Sequence, residues 1–234
     1  SKRSYFNQFV KRAEIDQILN CVRLLLQDNT PDFILMVPHY LTKISNLPYK
    51  RMSDAKTYDE LLNVMKDTEY YDVLNNFKNK DLAKHLQLME TALIFSHFKG
   101  LKEHIKDIPD KVRGIANEVL GVQIDFINIS LIIRLRKYFN MPKEVIKLQL
   151  LPIRYKIKDK DIDALCNINS LEEALEYLKT TNYKSLISKI NTENTNEFLS
   201  ELLYNLCKKI ISSGQNNIMV PLAYLHLKSI EITN

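Results

Sequence analysis

Two stretches decide the reading of this chain: TYDELLNVMKDTEYYDVL, residues 57–74, and SLEEALEYLKTTNYKSLI, residues 170–187. They align without a gap at a constant offset of 113 residues. Thr57 faces Ser170 and Glu60 faces Glu173, so each stretch opens with a hydroxyl and, three residues on, a glutamate. That spacing is the capping box, in which side chains satisfy the unpaired amides of a helix N-terminus. Leu62 then matches Leu175, Lys66 matches Lys179, Thr68 matches Thr181 and Tyr70 matches Tyr183. Each copy is expected to be a short capped helix running into the same Thr-x-Tyr step.

Outward from this core the agreement continues in order. Pro38 matches Pro152 at an offset of 114. Asn29-Thr30-Pro31 ends one helical pattern as Asn140-Met141-Pro142 ends another. Further upstream, IDQILN (15–20) resembles IDFIN (124–128), with Arg23 following the first and Arg134 and Arg136 the second. The closing IEITN (230–234) reads as the start of a third copy. An ordered series of this kind implies an internal repeat of about 110 residues, each unit a helical lobe. The positions that recur, Asp16, Asn20, Asp125, Asn128, Glu231 and Asn234, with Thr68, Tyr70, Thr181 and Tyr183, are assigned to packing within the lobes. A contact to one particular partner need not recur in every copy.

The fold class is all-α. Only four Gly and seven Pro occur in 234 residues, too few for the turns of an all-β chain. Apolar residues fall at helical spacing over 5–26, and a second helix is expected over 32–46. The longest patterns cover 80–105 and 110–139, parted by Ile108-Pro109-Asp110. Beyond them come a short helix running to Pro152, polar turns through Asp163, a helix over 197–212, and a last apolar segment over 217–234. The expected organisation is a first lobe over 1–79, long helices with a second lobe over 80–190, and the incomplete start of a third over 191–234.

Composition removes several classes of function. A net charge of +5, from 33 basic and 28 acidic residues, is mild and unclustered, unlike a dedicated nucleic-acid binder. Cys21, Cys166 and Cys207 lie far apart and form no C-x-x-C pair, which implies a reducing compartment without a disulfide framework. No apolar run is long enough to span a membrane. Asp159-Lys160-Asp161-Ile162-Asp163 starts like a calcium loop, but Ala164 stands where glycine is needed and Ser170 where glutamate is. The histidines at 39, 85, 97, 104 and 226 form no metal-ligand pattern, and no phosphate-binding glycine loop or nucleophile motif is present. No catalytic residue, metal site or cofactor is expected.

Taken together, YFNQFVKRAEIDQILNCVRLL, LKTTNYKSLI, IDFINISLIIRLRKYFNMPKEVI and PLAYLHLKSIEITN resemble the C subunit of V-type rotary ATPases, whose eukaryotic relative is the d subunit. Family members are longer at both ends, so the chain looks like a fragment with its third lobe incomplete. The resemblance implies three similar lobes in a pseudo-threefold funnel on the cytoplasmic face of the membrane. It implies two partners, the shaft made by the D and F subunits and the ring of proteolipids. It also implies a role in transmitting torque for H+ or Na+ transport, with no nucleotide, small-molecule substrate or nucleic acid bound. Arg23, Arg134, Arg136 and Lys137 could meet acidic shaft residues, or could line solvated helix faces and tie lobes together. Two rival readings stay open: a helical nucleic-acid-binding or scaffold module using Arg134, Arg136 and Lys137, and a helical enzyme with a site between lobes.

Overall fold

A computed structural model describes residues 2–106 and 110–188, together with Glu201, Tyr204, Asn205 and Lys208. The chain is all-helical, with no strand among the described residues. It divides into two compact units, Ser1–Leu101 and Lys102–Asn234. Glu231, Asn234 and, apart from those four residues, the expected third lobe over 191–234 lie outside the described residues, as does Cys207.

The first unit opens with α1 (Lys2–Leu25), which buries Ile15, Ile18, Cys21, Val22 and Leu25 along one stripe. The helix ends where Asp28 takes a left-handed backbone, φ 55°, a conformation that aspartate and asparagine adopt more readily than most side chains. A 3₁₀ turn (Thr30–Asp32) follows, with Pro31 supplying a fixed φ at its start. Next come α2 (Phe33–Met36) and α3 (His39–Ile44). The single helix expected over 32–46 is thus two, because Val37 is extended ahead of Pro38, as the ring of a proline forces on the residue before it.

Two further short helices, α4 (Tyr49–Asp54) and α6 (Tyr71–Asn75), flank α5 (Tyr58–Met65). The Thr57 hydroxyl accepts the Glu60 amide at 3.2 Å, and the Glu60 carboxylate reaches back to the Lys56 amide at 2.9 Å. Leu61, Leu62 and Met65 form the buried face of α5. α7 (Leu82–Lys106) carries the chain out of this unit.

The second unit is organised around α8 (Asp110–Phe139), whose Leu120, Ile124, Ile129, Ile132 and Leu135 are all buried. Asn140, φ 43°, closes it: the Asn140 amide bonds Arg136 O at 3.1 Å and the Met141 amide bonds Leu135 O at 3.2 Å. The first is the 5→1 bond of an αL stop, from the amide of the left-handed residue to the carbonyl four residues back. α9 (Lys143–Gln149), α10 (Asp159–Leu165), α11 (Leu171–Leu178) and α12 (Lys184–Ile187) complete the described part. The stretch expected as polar turns through Asp163 contains α10. Its start is fixed by a reciprocal cap, with the Lys158 amide donating to Asp161 Oδ2 at 2.9 Å. Ser170 Oγ accepts the Glu173 amide at 3.1 Å, so α11 begins as α5 does.

Candidate functional site

Each unit holds a buried carboxylate on its first long helix, and each carboxylate accepts a hydrogen bond from the tyrosine of the Thr-x-Tyr step. In the second unit the carboxylate is Asp125, fully buried on α8. It gathers the amides of Tyr155 (2.8 Å), Lys156 (2.7 Å) and Ile157 (2.9 Å), and the Tyr183 hydroxyl completes the set. Three of the four donors converge on Oδ2 and the Tyr155 amide takes Oδ1, so both buried oxygens are met. One turn along the same face, the Asn128 side chain accepts the Leu151 amide at 2.8 Å and donates to Leu151 O at 3.2 Å and Ile153 O at 3.4 Å. Asp125 and Asn128 therefore tie the irregular 151–157 segment to α8. The Tyr183 ring meets Phe126 edge-on, centroids 4.6 Å apart.

In the first unit the carboxylate is Glu14. It accepts the Ser45 hydroxyl and the Tyr70 hydroxyl, each at 2.5 Å, and Ser45 Oγ in turn accepts the Leu47 amide at 3.0 Å. A hydroxyl here replaces the backbone amides that serve Asp125. Burial, reinforced by the adjoining carboxylate, pushes the phenols of Tyr70 and Tyr183 far above their ordinary value, so both remain proton donors. Thr68 and Thr181 turn their hydroxyls onto Met65 O and Leu178 O, both at 2.7 Å, and so shape the two tyrosine steps alike.

The residues assigned to lobe packing from the sequence separate in the fold. Asp125, Asn128, Tyr70, Tyr183, Thr68 and Thr181 take part in these networks. Asp16 instead stands on the exposed face of α1 in an ion pair with Arg12 at 3.4 Å, and Asn20 accepts from Arg23 Nη1 at 2.9 Å. The residue that meets Tyr70 is Glu14, two positions before Asp16. The signal that finds it is the buried stripe: Glu14, Ile18 and Cys21 match Asp125, Ile129 and Ile132 at a constant offset of 111. Matching Ile-Asp with Ile-Asp aligned letters rather than helix faces.

The basic residues are dispersed in their roles. Arg136 donates to Met141 O at 3.0 Å and to Asn169 Oδ1 at 2.8 Å, pinning the end of α8. The Lys137 ammonium lies 5.5 Å from the Tyr138 ring centroid, and Arg134 is partly buried. Asp161, which in the sequence stands out only as part of a calcium-like run, is buried and accepts the Tyr177 hydroxyl at 2.9 Å. Asp163 pairs with Lys143 at 2.7 Å and with Lys147, and these contacts hold its carboxyl below the usual range.

Chemically, these groups hold structure in place. Cys21 and Cys166 are buried free thiols, and burial raises Cys21 to about 12, far from a reactive thiolate. Burial, aided by Arg12 and Lys11, lowers His97 to about 4 and keeps it neutral. A cleft of about 410 Å³ borders Glu14 and Tyr70, and across it Lys11 and Glu69 bond each other at 2.7 Å. No group of three or more His, Cys, Asp or Glu among the described residues is placed to hold a metal ion. None of the helices among the described residues is long and apolar enough to cross a membrane.

Fold and site thus define an all-helical protein whose buried polar groups brace its helices. The profile of the ATP synthase (C/AC39) subunit family matches residues 1–234, and the chain belongs to that family. It is 24% identical over 238 residues to the C subunit of the A-type ATP synthase of Pyrococcus abyssi, covering 98% of this chain and 62% of that protein. The corresponding A-type ATP synthase proteins of Pyrococcus horikoshii and Thermococcus kodakarensis stand at the same identity and coverage. The chain therefore spans about three fifths of the length of these relatives. No solved structure matches it significantly.

Proposed function

We propose that this chain is a non-catalytic adaptor in the central stalk of a V-type rotary ATPase. It joins the rotating shaft of the D and F subunits to the membrane ring of proteolipids, on the cytoplasmic face, for H+ or Na+ transport. The observation that carries this reading is the family match along the whole chain. The internal architecture supports it in physical terms. A torque adaptor needs stiffness and binding faces rather than a reactive group, and densely packed helices transmit strain. Buried carboxylate–tyrosine links between distant segments stiffen each unit further. On this reading the units are copies of one lobe, arranged with a third about a pseudo-threefold axis.

The test is association of the full-length protein with the purified shaft pair of the same organism, followed by size exclusion with light scattering. The expected result is a stable complex with one copy of each protein. Absence of association at low salt, with the ring also unbound, contradicts the adaptor. Salt-dependent retention of nucleic acid in place of either partner would favour the alternative module.

A further inference from the structure

We infer that the cleft beside Glu14 is a binding site for a guanidinium group, carried by a small free molecule or by an arginine side chain of a neighbouring subunit. Only the second source depends on the adaptor reading. The cleft, about 410 Å³, lies between α1, the connection from α3 to α4 and the turn from α5 to α6. That volume is within the usual range of small-molecule sites.

The two buried carboxylates are served unequally. Asp125 accepts four donors, three of them backbone amides of the 155–157 segment. Glu14, only 7% exposed, accepts two, the Ser45 hydroxyl at Oε1 and the Tyr70 hydroxyl at Oε2. Each of its oxygens keeps a further acceptor position. Where the second unit packs a loop against its carboxylate, the first unit has an open cleft. Tyr49 adds an independent sign. It is 5% exposed, and its hydroxyl makes no hydrogen bond to any described residue although Glu14 and Ser45 lie beside it. A buried polar group without a partner is costly, so open acceptor positions and an unmatched hydroxyl around one carboxylate indicate a ligand.

Charge identifies its chemistry. Glu14, Asp67 and Glu69 line the cleft against one cation, Lys11, whose ammonium is already bonded to Glu69 at 2.7 Å. No three carboxylates among the described residues are grouped to hold a metal ion. The cation that fits is one that spreads its charge and its donors over several atoms. A guanidinium is planar and carries five N–H donors, two of which form a parallel fork that matches a carboxylate. The fork serves the two oxygens of Glu14 and leaves donors for the Tyr49 hydroxyl oxygen and for Asp67 at the rim. An ammonium is a point charge with three donors and serves fewer of these groups.

The experiment titrates the full-length protein with butylguanidinium, butylammonium and butanol, three probes on one carbon chain, by calorimetry. Butylguanidinium is expected to bind saturably at one site, butylammonium at least about fivefold more weakly, and butanol not at all. Glu14→Gln is expected to weaken the probe about tenfold and Asp67→Asn about threefold, whereas Lys11→Met, which frees Glu69, should tighten it about threefold. Thermal unfolding is run on each variant. If Glu14→Gln unfolds, the opposite signs of Asp67→Asn and Lys11→Met carry the comparison, since both positions lie at the edge of the cleft.

Shaft and ring binding are measured alongside to separate the sources. Competition by butylguanidinium, with weaker assembly in Asp67→Asn, marks an arginine of that subunit as the natural occupant; unchanged assembly marks a free guanidinium compound. Absence of saturable probe binding to folded wild-type protein overturns the inference, as does equal binding of butanol or butylammonium. Probe affinity that is the same in wild type, Asp67→Asn and Lys11→Met overturns it as well. Protein that takes the probe but binds neither shaft nor ring removes the adaptor reading and leaves the site standing.

Discussion

Asp125 shows how much one side chain can organise. An ionised carboxylate removed from water is costly unless its lone pairs are met, and here three amides and a phenol meet them. Replacing it with asparagine leaves one oxygen for three amides and turns an NH2 group toward the rest. Asp125→Asn is expected to lose about 3 kcal/mol or more, since removing a charged acceptor strands its donors. Tyr183→Phe and Tyr70→Phe each remove one donor and are expected to cost about 1–3 kcal/mol. Urea unfolding of the three variants checks this order, and a change below about 0.5 kcal/mol in all of them would mean the networks bear no load.

At the scale of elements, the close approach at Gly121 locks loop to helix. A Cβ at this position would lie 2.7 Å from Tyr155 Cβ and would collide with the start of the tyrosine ring. The ring cannot retreat freely, because the Tyr155 amide is bonded to Asp125. Gly121→Ala is therefore expected to destabilise the chain by about 1–3 kcal/mol despite the better helix propensity of alanine. Adding Tyr155→Ala should recover much of that loss in the same unfolding assay, and no recovery would contradict the contact. The long helices were legible in the sequence, since their apolar spacing and the prolines at 31 and 142 set both course and end. The capping boxes at Thr57 and Ser170 were equally legible, because a cap is decided by four adjacent residues. α4, α6 and α12 were not, because helices of four to six residues carry too little periodicity to declare themselves. Glu14 escaped for another reason. Its partner Tyr70 lies 56 residues away, and only the buried face of α1 distinguishes it from Asp16.

At the scale of the whole molecule, two units each join a long helix to a capped short helix through a buried carboxylate and a tyrosine. Such links resist shear between helices, which is the property a coupling element needs, and the chain belongs to the ATP synthase (C/AC39) subunit family. The adaptor reading makes one demand on the complete machine: ATP hydrolysis in the head does not require this protein, whereas ion movement driven by it does. The direct measurement is ATP-driven ion transport in vesicles containing the reconstituted complex, prepared with and without the full-length protein. The account predicts continued hydrolysis with transport abolished when the protein is omitted, and transport restored when it is added back. Transport that continues at the same rate per ATP without the protein would contradict the account.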